Sequence, residues 1–304
     1  MTSNVTAAAV TRSLRGQGRD WAGTIFQLLL LLSLVFSLAV LATLVTDVVL
    51  KAAPVFADRG TGFITSNLSS KTGSAGIWQG LTGSLVIAGL VALVAFPIGV
   101  MTAIYLEEYA PDNRLTRFIN INIRNLAGVP SVVYGLLGLT VFVAFFSAVG
   151  VGNGRNILAG AVTLAVLVLP IVIITSAEAL RAVPMTLREA GYGVGASRWE
   201  VTRKLTLPAA APGILTGTIL ALARALGETA PLLLAGAVLG TLSQGVSLAG
   251  PYTVLPMIVY DWSRKPQDAF RNELAPAAIL VLLVVTLLAN AIAIVLRNRF
   301  ERTW

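Results

Sequence analysis

Cysteine and histidine are both absent from the 304 residues. Disulfides, thiol chemistry, Cys/His zinc sites and histidine acid–base catalysis are therefore excluded. Charge is scarce as well. Asp, Glu, Lys and Arg make up 12% of the chain, half of the ~25% found in soluble domains. No Gly-x-x-x-x-Gly-Lys-Ser/Thr sequence occurs, so the chain has no P-loop for ATP. What fills the chain is apolar: 56% hydrophobic residues and a mean hydropathy of +0.82. That composition describes a polytopic membrane protein. In such a protein a net charge of +8 reads first as the positive-inside signal rather than as a nucleic-acid surface.

A helix needs ~20 apolar residues to cross the hydrocarbon layer. Six segments qualify: Ala22–Leu50, Leu81–Leu106, Ile121–Ala148, Ile157–Ala179, Gly213–Ala237 and Leu274–Leu296. The expected fold is all-α with six transmembrane helices. The first run is far longer than the ~7–15 residues of a signal-peptide core and reads as a spanning anchor. Pro97, Pro130, Pro170 and Pro231 fall inside spans, where neighbouring helices can satisfy the freed carbonyls. Gly-x-x-x-Gly pairs occur at Gly213/Gly217 and Gly236/Gly240. Lys and Arg are nearly twice as frequent on the side of the N-terminus as on the other, which predicts cytoplasmic termini. The organisation expected is a cytoplasmic tail 1–20, a first span 21–50, an outer loop 51–80, a core 81–297 and a tail 298–304. Within the core, 181–212 forms a cytoplasmic loop. Glu107-Glu108 reads as a solvated helix end. Glu178 and Arg181 read as a pair, or as partners of the loop.

That loop is the most informative stretch. Glu189 to Pro208 reads EAGYGVGASRWEVTRKLTLP, polar, basic and glycine-containing between oily spans. Thr186 is expected to cap a short helix from Leu187, with Glu189 in its first turn facing the positive helix end. Gly191, Gly193 and Gly195 are expected to break it. Ser197, with Glu200 at capping-box spacing, restarts a helix. Trp199 and Val201 serve as anchors, and Pro208 blocks continuation. On physical grounds the segment suits either a docking loop for a water-soluble partner or an amphipathic stretch on anionic lipid.

A second feature lies inside the fifth span. Arg224 and Glu228, four residues apart, fall on one helical face near mid-bilayer. An unpaired charge there costs at least ~2.5–3.5 kcal/mol, so the face must look toward a partner helix or a wet path. Two uses are open: help for an anion that crosses, or a lock between helices. A guanidinium fork suits phosphate because it donates two hydrogen bonds at once.

The spacing Glu189-Ala190, Gly195, Leu205-x-Leu207-Pro208 resembles the EAA loop of ABC-importer permeases, with Gly191 where the second Ala belongs and Leu205 for Ile. Three further stretches resemble the PstA-type permeases of phosphate ABC importers. They are Ala103–Tyr109 (AIYLEEY), Ala127–Leu139 (AGVPSVVYGLLGL) and Gly227–Leu233 (GETAPLL). Leu255–Tyr260 and Ala291–Phe300 look similar too. The resemblance runs from about Leu81 to the C-terminus and implies a type I importer permease (MetI-like) fold in the bacterial inner membrane. It implies a transport subunit rather than an enzyme, with no cofactor on this chain and ATP and Mg on a partner. The implied partners are a PstC-like permease, two PstB-like ATPase subunits, a PstS-like phosphate-binding protein and membrane lipid, with no nucleic acid. Glu189, Ala190, Gly195, Arg198, Leu205, Leu207 and Pro208 would couple to the ATPase. Arg224, Glu228 and Thr229 would line the substrate pathway. A permease for molybdate, sulfate or phosphonate is the alternative. A secondary carrier would leave the EAA spacing unexplained and lacks coupling carboxylates beyond Glu228.

Overall fold

The structure is a computed structural model, and it describes residues 21–237 and 247–300. The tails 1–20 and 301–304, and Gly240 of the second glycine pair, lie outside the described residues. Among the described residues every regular element is helical, and six helices are long and apolar enough to cross a membrane. The chain divides into two units, 1–50 and 51–304.

The first unit is the greater part of helix α1 (Trp21–Arg59). Its apolar window is exposed throughout, as suits a segment solvated by lipid.

The second unit begins with the last turns of α1. It continues through α2 (Trp78–Ile104), which ends in a wider π-helical turn, Tyr105–Tyr109. Then come α3 (Arg114–Ala127) and α4 (Ser131–Leu137), the latter running through a π turn, Gly138–Val143, into α5 (Ala144–Ala148). Next are α6 (Ile157–Arg181), α7 (Met185–Gly193) and α8 (Arg198–Val201). A π turn, Thr202–Thr206, leads into α9 (Leu207–Gly227), followed by α10 (Ala230–Leu234) and α11 (Leu255–Trp262). A last π turn, Phe270–Leu274, leads into α12 (Ala275–Phe300).

Helix α6 is the hub. Of its most apolar window 67% is buried, against 28% or less in the other five spans. Asn156 caps it by accepting from Ala159 N at 2.9 Å. The central core joins Val91 and Ala95 of α2, Leu164 and Val168 of α6 and Ala221 and Ala225 of α9. Glycine sets the approach of α9 to α6. A Cβ added at Gly213 would fall 2.7 Å from Ala179 Cβ, and one at Gly217 only 2.1 Å from Thr175 Oγ1. The Gly213/Gly217 pair therefore marks a close helix contact. A separate cluster packs Ala52, Val55 and Phe63 on Trp262 and Phe270. Arg59 ties this region down by donating to the Ala75 carbonyl at 2.7 Å.

The third span at its start and the fifth at both ends differ from the sequence expectation. The third span starts at Ser131 rather than Ile121. Residues 114–127 form a separate amphipathic helix, capped by the Asn113 side chain at 2.8 Å from Thr116 N. Pro130 lacks the N–H that would continue it. The fifth span is helical from Arg198 to Gly227, so Pro208 blocks nothing. It occupies the first turn of α9 behind a π turn, where a missing N–H is tolerated. The same span ends at Gly227 rather than Ala237, because Pro231 has no N–H to give the Gly227 carbonyl.

Candidate functional site: paired helix breaks and a basic loop

Arg224 and Glu228 flank the end of α9. Glu228 is not helical: it is extended (φ −77°, ψ 121°), and the chain turns helical again only at Ala230. The pair survives the break, with Arg224 Nε 3.2 Å from Glu228 Oε1. The two side chains are 43% and 17% exposed, so the guanidinium faces open space while the carboxylate is largely covered. Gly227, between them, also faces open space. Thr229 is half-buried on the break, and its carbonyl accepts from Leu233 N at 2.9 Å.

Helix register gives the depth. Gly213 lies against Ala179 and Gly217 against Thr175, an antiparallel match. Continued, it sets Arg224 level with the middle of α6, ~18 Å from either end at 1.5 Å per residue. Non-helical backbone at such depth persists only where protein buries it or a water-filled cavity borders it.

A second break meets the first. The Gly128-Val129-Pro130 interruption separates α3 from α4. The Tyr134 hydroxyl staples it by donating to the Leu126 carbonyl at 2.8 Å. Tyr134 also lies within electrostatic reach of Arg224. Gly135 receives α10 directly: a Cβ there would fall 2.7 Å from Pro231 Cα. Pro130 and Pro231 thus mark the two breaks, while Pro97 and Pro170 sit inside continuous helices. Tyr252 is buried beside Gly160, and burial pushes its phenol above the ordinary range.

The basic loop is the second region. Pro184, not Thr186, holds the capping position of α7, so Glu189 lies beyond the first turn and gains nothing from the helix dipole. Gly191 does not break α7. It is buried within it, and its missing side chain admits Val201 and Leu205, whose ends would stand 2.8 Å from an added Cβ. The turn falls at Gly195, in the left-handed region at φ +83°. The capping box of Ser197 and Glu200 forms in full. Val201 is the anchor, fully buried, whereas Trp199 is exposed. Glu189, Ala190, Gly195, Arg198 and Pro208 are all on the surface, with Leu205 and Leu207 half-buried. Tyr192, Val194 and Trp199 stand exposed around the tip.

A third group was not legible in the sequence. Glu107 and Glu108 are no solvated helix end. Arg181 grips Glu107 with two bonds, of 2.8 and 2.6 Å. Arg188 Nη2 lies 2.9 Å from Glu108 Oε1, with Glu108 only 4% exposed. The Arg198 guanidinium stacks over the Tyr109 ring at 5.2 Å.

The binding-protein-dependent transport system inner membrane component family matches residues 95–304, which include both breaks and the whole loop. The chain belongs to that family. Members of it are membrane transport components rather than enzymes. The phosphate transport system permease protein PstA 1 of Mycobacterium tuberculosis (strain ATCC 25618 / H37Rv) is 36% identical over 73% of this chain and 70% of its own. The phosphate transport system permease protein PstA of Yersinia pestis is 36% identical over 73% and 72%. The phosphate transport system permease protein PstC of Mesorhizobium japonicum is 31% identical over 77% of each. Solved structures agree on the fold. A chain of the MetNI methionine ABC transporter in inward-facing conformations aligns with TM-score 0.54 and 20% identity, over 74% of this chain and 94% of that one. A chain of a bacterial alginate ABC transporter aligns with TM-score 0.65 and 16% identity, over 96% and 99%. Family membership and these neighbours bear out the MetI-like permease fold that the family resemblance implied.

Proposed function

We propose that this chain is a transmembrane permease subunit of an ATP-driven importer that moves inorganic phosphate into the cell. The observation that carries the reading is the match to PstA permeases across 73% of the chain; the family match over residues 95–304 takes in the Arg224–Glu228 break. The geometry agrees with the chemistry. A guanidinium that faces open space at mid-span can meet an oxyanion with a planar fork of donors, and the covered carboxylate offsets its charge so that the anion is not trapped.

In this reading the loop and both termini are cytoplasmic. Tyr192, Val194 and Trp199 form the apolar tip that a groove in the ATPase covers, around Glu189, Ala190, Gly195 and Arg198. The sister subunit is PstC-like, two PstB-like ATPases supply ATP hydrolysis with Mg, and a PstS-like protein delivers phosphate from outside. ATP binding draws the loops together and turns the cavity outward; hydrolysis resets it.

The test is ATP-driven uptake of radiolabelled phosphate by vesicles holding all four proteins. Competition with unlabelled molybdate, sulfate and phosphonate reads the substrate. Uptake resistant to those three supports phosphate. Uptake of one of them, without phosphate, assigns the permease to another oxyanion.

A further inference from the structure

The Glu107-Glu108-Tyr109 turn has no part in binding an anion at Arg224, yet it is built with unusual care. It is a π turn, closed by Ala110 N on the Tyr105 carbonyl at 2.8 Å, and such turns recur at functional positions. Its three consecutive side chains each hold a different part of the loop region. Glu107 takes Arg181, the last residue of α6. Glu108 takes Arg188 of α7, which also donates to the Leu180 carbonyl at 2.8 Å. Tyr109 takes Arg198 at the start of α8. Both ion pairs span more than seventy residues of sequence, so local helix formation does not explain them.

We propose that this turn is the strut that transmits movement of the loop to α2, with Glu107, Glu108 and Tyr109 acting as positioning residues for transport. The proposal rests on the loop being the ATPase contact. Helix α2 packs along α6 through Gly99, where an added Cβ would fall 2.6 Å from Val172. A loop pinned to the end of α2 at three points moves with that packed pair instead of sliding beneath it. Removing one partner of the Glu108–Arg188 pair would strand a covered charge and threaten folding. The more exposed Glu107–Arg181 pair is therefore the place to intervene.

The experiment uses the complete transporter in vesicles and reads phosphate moved per ATP hydrolysed. Glu107→Arg alone and Arg181→Glu alone should each lower that ratio about tenfold, the factor that ~1.4 kcal/mol of pair coupling gives. The double swap Glu107→Arg with Arg181→Glu should restore it to within about twofold. A control decides whether the underlying reading holds. The chain has no cysteine, so Val194→Cys provides a single thiol at a residue 85% exposed on the loop tip. Cross-linking of that thiol to the ATPase confirms the contact. With cross-linking present, an unchanged ratio in the single variants, or no recovery in the double, overturns the strut. Without cross-linking, the ATPase contact fails and the strut fails with it.

Discussion

The contact between the two helix breaks makes a sharp prediction at Gly135. Alanine there adds a methyl group 2.7 Å from Pro231 Cα and 2.9 Å from Leu234 Cδ1. The leucine end can rotate away, but the proline is backbone. To reach an ordinary contact α10 must retreat by about 0.7 Å, and overpacking of this kind costs ~1–3 kcal/mol. The gain in helix propensity from Gly to Ala returns up to ~1 kcal/mol, leaving a net loss of up to ~2 kcal/mol, about 1 at the centre of the range. Gly89→Ala in α2 is the matched control, because nothing lies within 4 Å of it. The assay is thermal loss of the monodisperse transporter in detergent, with phosphate uptake measured in parallel. Gly135→Ala should melt earlier and transport less, while Gly89→Ala should equal or exceed the parent in stability. If Gly135→Ala matches Gly89→Ala in both assays, the breaks are not in contact as described.

Two further substitutions probe single interactions. Tyr134→Phe removes the donor to the Leu126 carbonyl and should destabilise the transporter by ~1 kcal/mol, read as an earlier melt; an unchanged melt would dismiss the staple. Gly195→Ala and Gly193→Ala both enter open space, but only Gly195 has positive φ. Gly195→Ala alone should then cost ~1–2 kcal/mol and weaken capture of the ATPase in a pull-down, and equal behaviour of the two would argue against a left-handed turn.

Apolar length made most of the spans readable, since a run such as Ile157–Arg181 has few structures open to it in lipid. The loop's capping box was readable because Ser197 and Glu200 interact only three residues apart. The misplacements have a common origin in proline. Pro208 at a helix start and Pro130 or Pro231 at a break look alike in sequence, and what separates them is the backbone ahead of each residue. A π turn precedes Pro208, while Gly128 and Gly227-Glu228 precede the other two. Arg224 and Glu228 were identifiable as a pair from their spacing, but not as a pair across a break. Glu107 and Glu108 gave no local sign of their partners, because Arg181 and Arg188 reach them only through the packing of α2 on α6. Gly135 was equally silent, as its role depends on where α10 lies.

The most direct measurement compares ATP-driven phosphate uptake by the full transporter with Arg224 intact and with Arg224→Gln, alongside assembly and ATPase rate. A charge-assisted hydrogen bond to an anion contributes ~1.5–3 kcal/mol, which corresponds to a fall in uptake of roughly 10- to 150-fold. Uptake should fall by that factor with assembly and ATP hydrolysis retained. Equal uptake in the two proteins would contradict it and leave the Arg224–Glu228 pair as a lock between helices.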